Sequence, residues 1–286
     1  MKSGIVYLLG RPNVGKSTLV NALVGHKVSI TSPKPQTTRF NIQAVFEDER
    51  GQIVFVDTPG IFGKAVDDLS RQINAETEKS MHGDVNLVVH IIDPTRRRDF
   101  EENRVLGIVR QFKVPKILVV NKIDIRNPEY LPEYKFMEDE HAQIVEVSAA
   151  TGKNISLLLK TIFSFLPEGD RFVDTSTFVQ PALNLDSKTY LAELIREKAY
   201  LFLRREAPYS LTAAVDEIDE RKNGVLYIKA RILTSADRYK SMIIGRGGRM
   251  IKEISMATRK ELATASNKKV FVDLTVETDP HWMDHI

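Results

Sequence analysis

Eight consecutive residues, Gly10-Arg11-Pro12-Asn13-Val14-Gly15-Lys16-Ser17, fit the pattern G-x-x-x-x-G-K-[ST], with Thr18 following. These types at this spacing suit a phosphate chain. Glycines let backbone N–H groups curl around phosphate oxygens, and a helix opening at the lysine aims its positive end at the same anion. Lys16 reaches the β- and γ-phosphates, and the Ser17 hydroxyl ligates Mg2+. A short apolar run before the loop and a helical pattern after it supply the required strand–loop–helix context.

Three further motifs stand in the order such a loop requires. Asp57-Thr58-Pro59-Gly60 closes an apolar run; its carboxylate can hold the Mg2+ shell, and the Gly60 N–H can meet the γ-phosphate. Between that motif and the first helix lies Thr37-Thr38-Arg39, where one threonine can ligate Mg2+ only while the γ-phosphate is present. Asn121-Lys122-Ile123-Asp124 chooses the base. The Asp124 carboxylate accepts two N–H bonds from guanine that adenine cannot offer, and a buried acceptor left unpaired is costly. Asn121 and Lys122 brace the loop and the base face, and Ser148-Ala149-Ala150 can present a backbone N–H to guanine O6. Together they predict binding of GTP and GDP, with hydrolysis of GTP to GDP and phosphate and ATP disfavoured.

The catalytic set expected is Lys16, Thr38, Gly60 and Asn13. Where related enzymes carry a water-orienting glutamine just after Asp-x-x-Gly, this chain has Ile61 and then Phe62. Neither polarises water, so slow intrinsic turnover is expected. The alternative is that Asn13 holds a monovalent cation, K+, which neutralises developing charge.

These residues need a scaffold, and 286 residues with 42% hydrophobic and 28% charged side chains provide for two cores. There is no cysteine, hence neither a disulfide nor a thiolate metal site. The first part alternates apolar β-branched runs with helical stretches, the pattern of a mostly parallel α/β sheet covered on both faces. Strands are expected at 5–9, 53–57, 87–93, 116–121 and 144–147. An antiparallel edge at 40–46 joins the second of these through Asp48-Glu49-Arg50-Gly51. Helices are expected at 16–24, 102–111 and 155–166. Residues 167–181 are rich in Pro, Asp, Ser and Thr and lack periodicity. A linker, taken as 169–184, therefore separates a domain at 1–168 from one at 185–286.

The second part changes rhythm. A helix at 188–205, with Leu191, Leu194, Ile195, Leu201 and Phe202 on one side, precedes strands at 210–220 and 225–234. Helices at 240–244 and 249–265 and a strand at 269–276 follow. Residues 185–286 hold 18 Lys/Arg against 15 Asp/Glu, while the remainder of the chain is balanced. Within 238–269 there are nine basic residues against Glu253 and Glu261, the electrostatic footprint of a phosphate-backbone partner. Inside that cluster, Ile244-Gly245-Arg246-Gly247-Gly248-Arg249 places a G-x-x-G between two helices. Such a loop clamps about four nucleotides of single-stranded RNA, with Arg246, Arg249 and Lys252 facing it.

The nucleotide motifs, the stretch from Ile30-Thr31-Ser32 to Arg39 and the G-x-x-G frame together resemble the Era family of ribosome-assembly GTPases, over nearly the whole chain. The resemblance implies a P-loop GTPase domain followed by an α+β type II KH domain. It further implies binding to the 3′ end of 16S ribosomal RNA and assistance to 30S subunit assembly. It also implies that RNA is held in the GTP state and released in the GDP state, and that Thr38 rather than Thr37 ligates Mg2+. A monomer with peripheral contact to the inner membrane face is expected. Relatives continue past the tryptophan near the end, here Trp282, into a charged segment, and contacts from such a tail are not expected before Ile286.

Several features are set aside. No segment has the make-up of a signal peptide or of a membrane span, so a cytoplasmic protein is expected. His281, Asp284 and His285 lack a convincing third ligand position, and Trp282 reads as a packing anchor. Arg96-Arg97-Arg98 reads as solvated, and His26, His82, His90 and His141 show no catalytic spacing. The competing reading is an RNA-binding scaffold in which the nucleotide is structural and hydrolysis incidental.

Overall fold

The computed structural model describes residues 1–25, 42–58, 85–172, 187–203, 207–221, 224–266 and 268–285. The described residues fall into two compact units, the first holding 1–25, 42–58 and 85–172 and the second those within 187–285.

The first unit carries β1 (Lys2–Leu9), α1 (Lys16–Val24), β2 (Ile42–Asp48), β3 (Gly51–Asp57), β4 (Leu87–Ile92), α2 (Phe100–Gln111), β5 (Lys116–Val120), β6 (Gln143–Glu146) and α3 (Ile155–Phe165). Its sheet runs β2-β3-β1-β4-β5-β6. All neighbours are parallel except β2, which lies antiparallel along β3 from Ile42↔Asp57 to Asp48↔Gly51. The edge strand anticipated at 40–46 is thus present and runs on to Asp48, while residues 40 and 41 lie outside the described residues. There Asp48 Oδ1 accepts the Arg50 amide at 2.8 Å. Gly51 is obligatory, since a Cβ would lie 1.7 Å from the Lys2 carbonyl.

Both faces of the sheet are covered, which is why β3 and β4 are continuous apolar runs rather than alternating ones. Val89 and Ile91 pack with Leu19 of α1 and Ile162 of α3, while Val88 packs with Val105 and Val109 of α2. Helix α2 starts at Phe100 rather than 102, because Asp99 caps it through the Glu102 amide at 3.0 Å. A 3-10 stretch, Leu131–Glu140, carries no periodicity legible in the sequence. It buries Tyr134 and Met137 against Ile92, Leu118 and Val120. The segment that reads as a linker starts as part of this unit: Ser3 N donates to Pro167 O at 3.1 Å and Gly169 N to Met1 O at 2.9 Å. Phe172 N donates to Gln52 Oε1 at 2.9 Å.

The second unit is α4 (Ser187–Phe202), β7 (Leu211–Glu220), β8 (Val225–Thr234), α5 (Asp237–Ile244), α6 (Arg249–Ser266) and β9 (Lys269–Thr278). The sheet order is β7-β8-β9, antiparallel then parallel. Leu194, Ile195, Ile228, Ile232, Ile243, Ile254 and Val272 form its core. Leu201 does not join them. It is 47% exposed, and Leu203, just past the helix end, takes the buried place instead. Trp282 is buried, as expected of a packing anchor.

Candidate nucleotide site and RNA-binding loop

The loop between β1 and α1 owes its curl to backbone conformations that few residues tolerate. Gly15 has φ +99° and Asn13 φ +65°, and asparagine is among the few side-chain-bearing residues that enter this region readily. Gly10 has no room for a side chain, since a Cβ would sit 2.7 Å from the Ile91 carbonyl of β4. Lys16 is buried in the loop it serves, donating to Gly10 O at 2.9 Å and Arg11 O at 3.2 Å. Burial lowers its pKa to about 8, against the pull of Asp57, Glu102 and Glu101 in the other direction. A phosphate chain in the loop restores the missing counter-charge.

Asp57 ends β3 fully buried, opposite Leu8 of β1. Its carboxylate and the Ser17 hydroxyl are hard oxygen donors of the kind Mg2+ takes, so the residues present fit that ion. The Thr58 hydroxyl donates into the sheet, to Leu8 O at 2.9 Å. Thr37, Thr38, Pro59, Gly60 and Ile61 lie outside the described residues.

Asn121 joins three motifs. Its Nδ2 donates to Val14 O of the phosphate loop at 2.8 Å, and its Oδ1 accepts the Ala149 amide at 3.0 Å and the Lys122 amide at 2.8 Å. Lys122 is held at φ +66°, a costly conformation for a lysine. Its Nζ reaches Asn13 O at 3.1 Å and Asp93 Oδ2 at 2.6 Å. Asp124 is exposed, and Ser148 Oγ donates to its Oδ1 at 2.6 Å. Ala150 is exposed beside Ala149.

The Arg11 side chain is wholly buried and turned to the segment after β4, which leaves only its backbone in the phosphate loop. It donates to Arg97 O at 2.9 Å, Arg96 O at 3.3 Å, Asp93 O at 3.4 Å and Tyr134 Oη at 3.1 Å, and pairs with Glu102 and Asp99 at 3.1 Å each. Arg96 also departs from the solvated reading, donating to Pro12 O at 3.0 Å. Arg98 departs from it too, half-buried and stacked over Phe136 at 4.3 Å. Sequence reasoning missed Asp93, Glu102 and Tyr134. The position of Asp93, directly after a buried apolar strand, was the one available signal. Burial pushes the Asp93 carboxyl up, but hydrogen bonds from Lys122 and Thr95 outweigh it and hold the group below the usual range.

In the second unit, residues 245–248 form a tight turn between α5 and α6. Gly245 (φ +72°) has no space for a Cβ, which would lie 2.7 Å from Met250 Cβ, whereas Gly247 and Gly248 also take positive φ but face open space. Backbone there can approach a phosphate closely. Ile243 is fully buried beneath the turn and Ile244 half-buried, while Arg246, Arg249 and Lys252 are exposed. Arg249 is partly neutralised, with Nε 3.0 Å from Glu253 Oε1. A groove of about 270 Å³ lies against Gly245, Arg246, Arg249, Met250 and Glu253. Among the described residues, no group of three or more His, Asp or Glu side chains could hold a metal ion; the side chains of Asp284 and His285 lie outside them.

Residues 5–122 match the family model described as a 50S ribosome-binding GTPase, and residues 206–283 match that of a KH domain. GTPase Era of Halothermothrix orenii is 37% identical over 289 residues, covering 99% of this chain and 95% of that protein. GTPase Era of Lactobacillus delbrueckii subsp. bulgaricus is 40% identical over 287 residues, covering 98% and 92%. Two solved structures superpose with a TM-score of 0.89 and coverage of 99% of this chain and 95% of the other. One is Era with MgGDPNP and nucleotides 1506–1542 of 16S ribosomal RNA, 34% identical. The other is an Aquifex aeolicus Era variant bound to GDP and AlF4−, 35% identical.

Proposed function

This chain belongs to the Era family of GTPases, and from that premise we propose that it is a GTP-driven switch that binds the 3′ end of 16S ribosomal RNA and assists assembly of the 30S subunit. The observation that carries this reading is the presence, in one chain, of an intact phosphate loop and an exposed G-x-x-G turn flanked by Arg246, Arg249 and Lys252. The relative solved with a magnesium-bound GTP analogue and 16S nucleotides supports it.

In this reading Gly10, Asn13, Gly15, Lys16, Ser17 and Thr18 cradle the phosphates, with the backbone of Arg11, Pro12 and Val14 completing the loop. Asp124 reads guanine. Ser17, Asp57 and Thr38 hold Mg2+, which supplies charge neutralisation at the β- and γ-phosphates. Gly60 contacts the γ-phosphate. Asn13, whose side chain is exposed, serves a potassium ion in this reading. The RNA runs over Ile244 and the glycine turn toward Lys252. The protein works as a cytoplasmic monomer that touches the membrane only peripherally. Among the described residues no helix is long and apolar enough to cross a membrane.

The test is the affinity of the full-length protein for a 16S 3′-terminal oligonucleotide in the GDP state and with a non-hydrolysable GTP analogue. Tighter binding with the analogue, about tenfold or more (~1.4 kcal/mol of coupling), is expected. Equal affinities would instead favour a scaffold whose nucleotide is structural.

A further inference from the structure

Three consecutive residues of the phosphate loop are each tied to the segment that follows β4. Arg11 reaches it with its side chain, donating to the carbonyls of Asp93, Arg96 and Arg97. Pro12 is tied through its carbonyl, which accepts Arg96 Nη1 at 3.0 Å. Asn13 is tied through its carbonyl, which accepts Lys122 Nζ at 3.1 Å, while the same ammonium is held by Asp93 Oδ2 at 2.6 Å. The other Asp93 oxygen accepts the Thr95 amide at 3.0 Å and the Thr95 hydroxyl at 2.6 Å. The carboxylate is therefore fixed on both sides, and it is fully buried. Tyr134 closes the segment from beneath, donating to Arg96 O at 3.0 Å.

The geometry points to Asp93 as a positioning residue for the guanine nucleotide: it acts through Lys122, fixing that lysine's stem across the base site and clamping Asn13 into its left-handed conformation. Two strained backbones meet at this point, Asn13 at φ +65° and Lys122 at φ +66°. Such conformations persist where surrounding contacts over-determine them, and the Asp93–Lys122–Asn13 bridge joins the two. A lysine freed of Asp93 samples other rotamers, and a nucleotide would have to order it again on binding. The inference rests on placing Lys122 at the guanine site, and the experiment separates the two claims.

GDP dissociation is followed with a fluorescent GDP analogue on the full-length protein and its Asp93→Asn, Lys122→Met and doubly substituted variants. Asp93→Asn is expected to speed release about tenfold and to raise KM for GTP more than it lowers kcat. In the Lys122→Met background the same substitution is expected to change release less than twofold, because its effect passes through the lysine. Thr95→Val, a substitution at a half-exposed site that removes only one bond to the carboxylate, is expected to speed release about threefold with an unchanged melting temperature. An Asp93→Asn effect equally large with and without Lys122 would overturn the proposal, as would unaltered release in Thr95→Val and Asp93→Asn together. Should Lys122→Met itself leave nucleotide release unchanged, the placement of Lys122 fails rather than the role of Asp93 alone. If Asp93→Asn does not fold, Thr95→Val measured with and without Lys122 completes the same cycle.

Discussion

Asn121 Nδ2 donates to the Val14 carbonyl at 2.8 Å, spanning 107 residues of sequence to join the base-reading motif to the phosphate loop. Both atoms are buried, and the same side chain accepts two amides through its oxygen. Its loss leaves one carbonyl and two N–H groups without their partner, each costing about 1–3 kcal/mol where water cannot replace it. Asn121→Ala is therefore expected to lower unfolding stability by at least about 3 kcal/mol and to weaken GDP at least about tenfold. Urea denaturation with and without GDP measures both.

The exposed Asp124 carboxylate, proposed to read guanine, accepts a hydrogen bond from Ser148 Oγ at 2.6 Å. In Asp124→Asn one acceptor oxygen becomes a donor NH2, which opposes the guanine N–H groups and suits a base carrying a carbonyl at that position. GTP binding is expected to fall about 100-fold or more, and xanthosine triphosphate to become the better ligand. A variant that still prefers GTP would remove Asp124 from the base site.

The glycine turn separates packing from conformation. Gly245→Ala places a methyl 2.7 Å from Met250 Cβ at φ +72°, with an expected stability loss of about 1–3 kcal/mol. Gly247→Ala meets no neighbour and is expected to cost about 1 kcal/mol from its positive φ alone. Gly247→Asp adds a charge facing the RNA path. It is expected to weaken a 16S 3′-end oligonucleotide more than tenfold while GTP hydrolysis without RNA stays at its normal rate.

His141 is expected to contribute to the acid limit of the first unit. Met137 O can only accept, so His141 Nδ1, 2.6 Å away, carries a proton, and Nε2 faces His90 Nδ1 at 3.2 Å. Burial is the main reason the His141 pKa falls to about 4. His90 and Lys116 add to the drop, while the Met137 bond and Glu140, itself paired with Arg110, oppose it. The folded value lies below the ordinary 6.5, so the unfolded chain takes up the proton first. The contribution is complete above about pH 6.5 and is lost progressively as pH falls toward about 4. Melting temperature at pH 7.5 and 5.0 should fall less in His141→Gln than in the parent. Equal falls would show that other groups govern the acid limb.

Asn13 offers a direct test of how charge is neutralised during hydrolysis. If its side chain serves a potassium ion, turnover is faster in KCl than in NaCl and Asn13→Ala abolishes the difference. No salt difference in the parent would leave slow intrinsic hydrolysis as the full account.

What the sequence determined by itself was local or strongly patterned. The phosphate loop, the Asn-Lys-x-Asp motif and the G-x-x-G turn are short, because each serves one ligand with neighbouring backbone groups. The order of elements followed from apolar runs and 3.6-residue spacing, which burial imposes directly on sequence. Gly245 and Gly15 were legible because only glycine tolerates their conformations or surroundings. The tertiary structure decided where long polar side chains go. Arg11 sits inside the phosphate-loop motif yet turns to residues 93–102, and Arg96, in a run of three arginines, takes the Pro12 carbonyl. The Thr58 hydroxyl faces β1, and Leu203 rather than Leu201 enters the second core. Such partners lie 50 to 123 residues apart. A hydrogen bond between them imposes no period on the chain, and it exists only once the sheet brings the ends of β1, β3, β4 and β5 side by side.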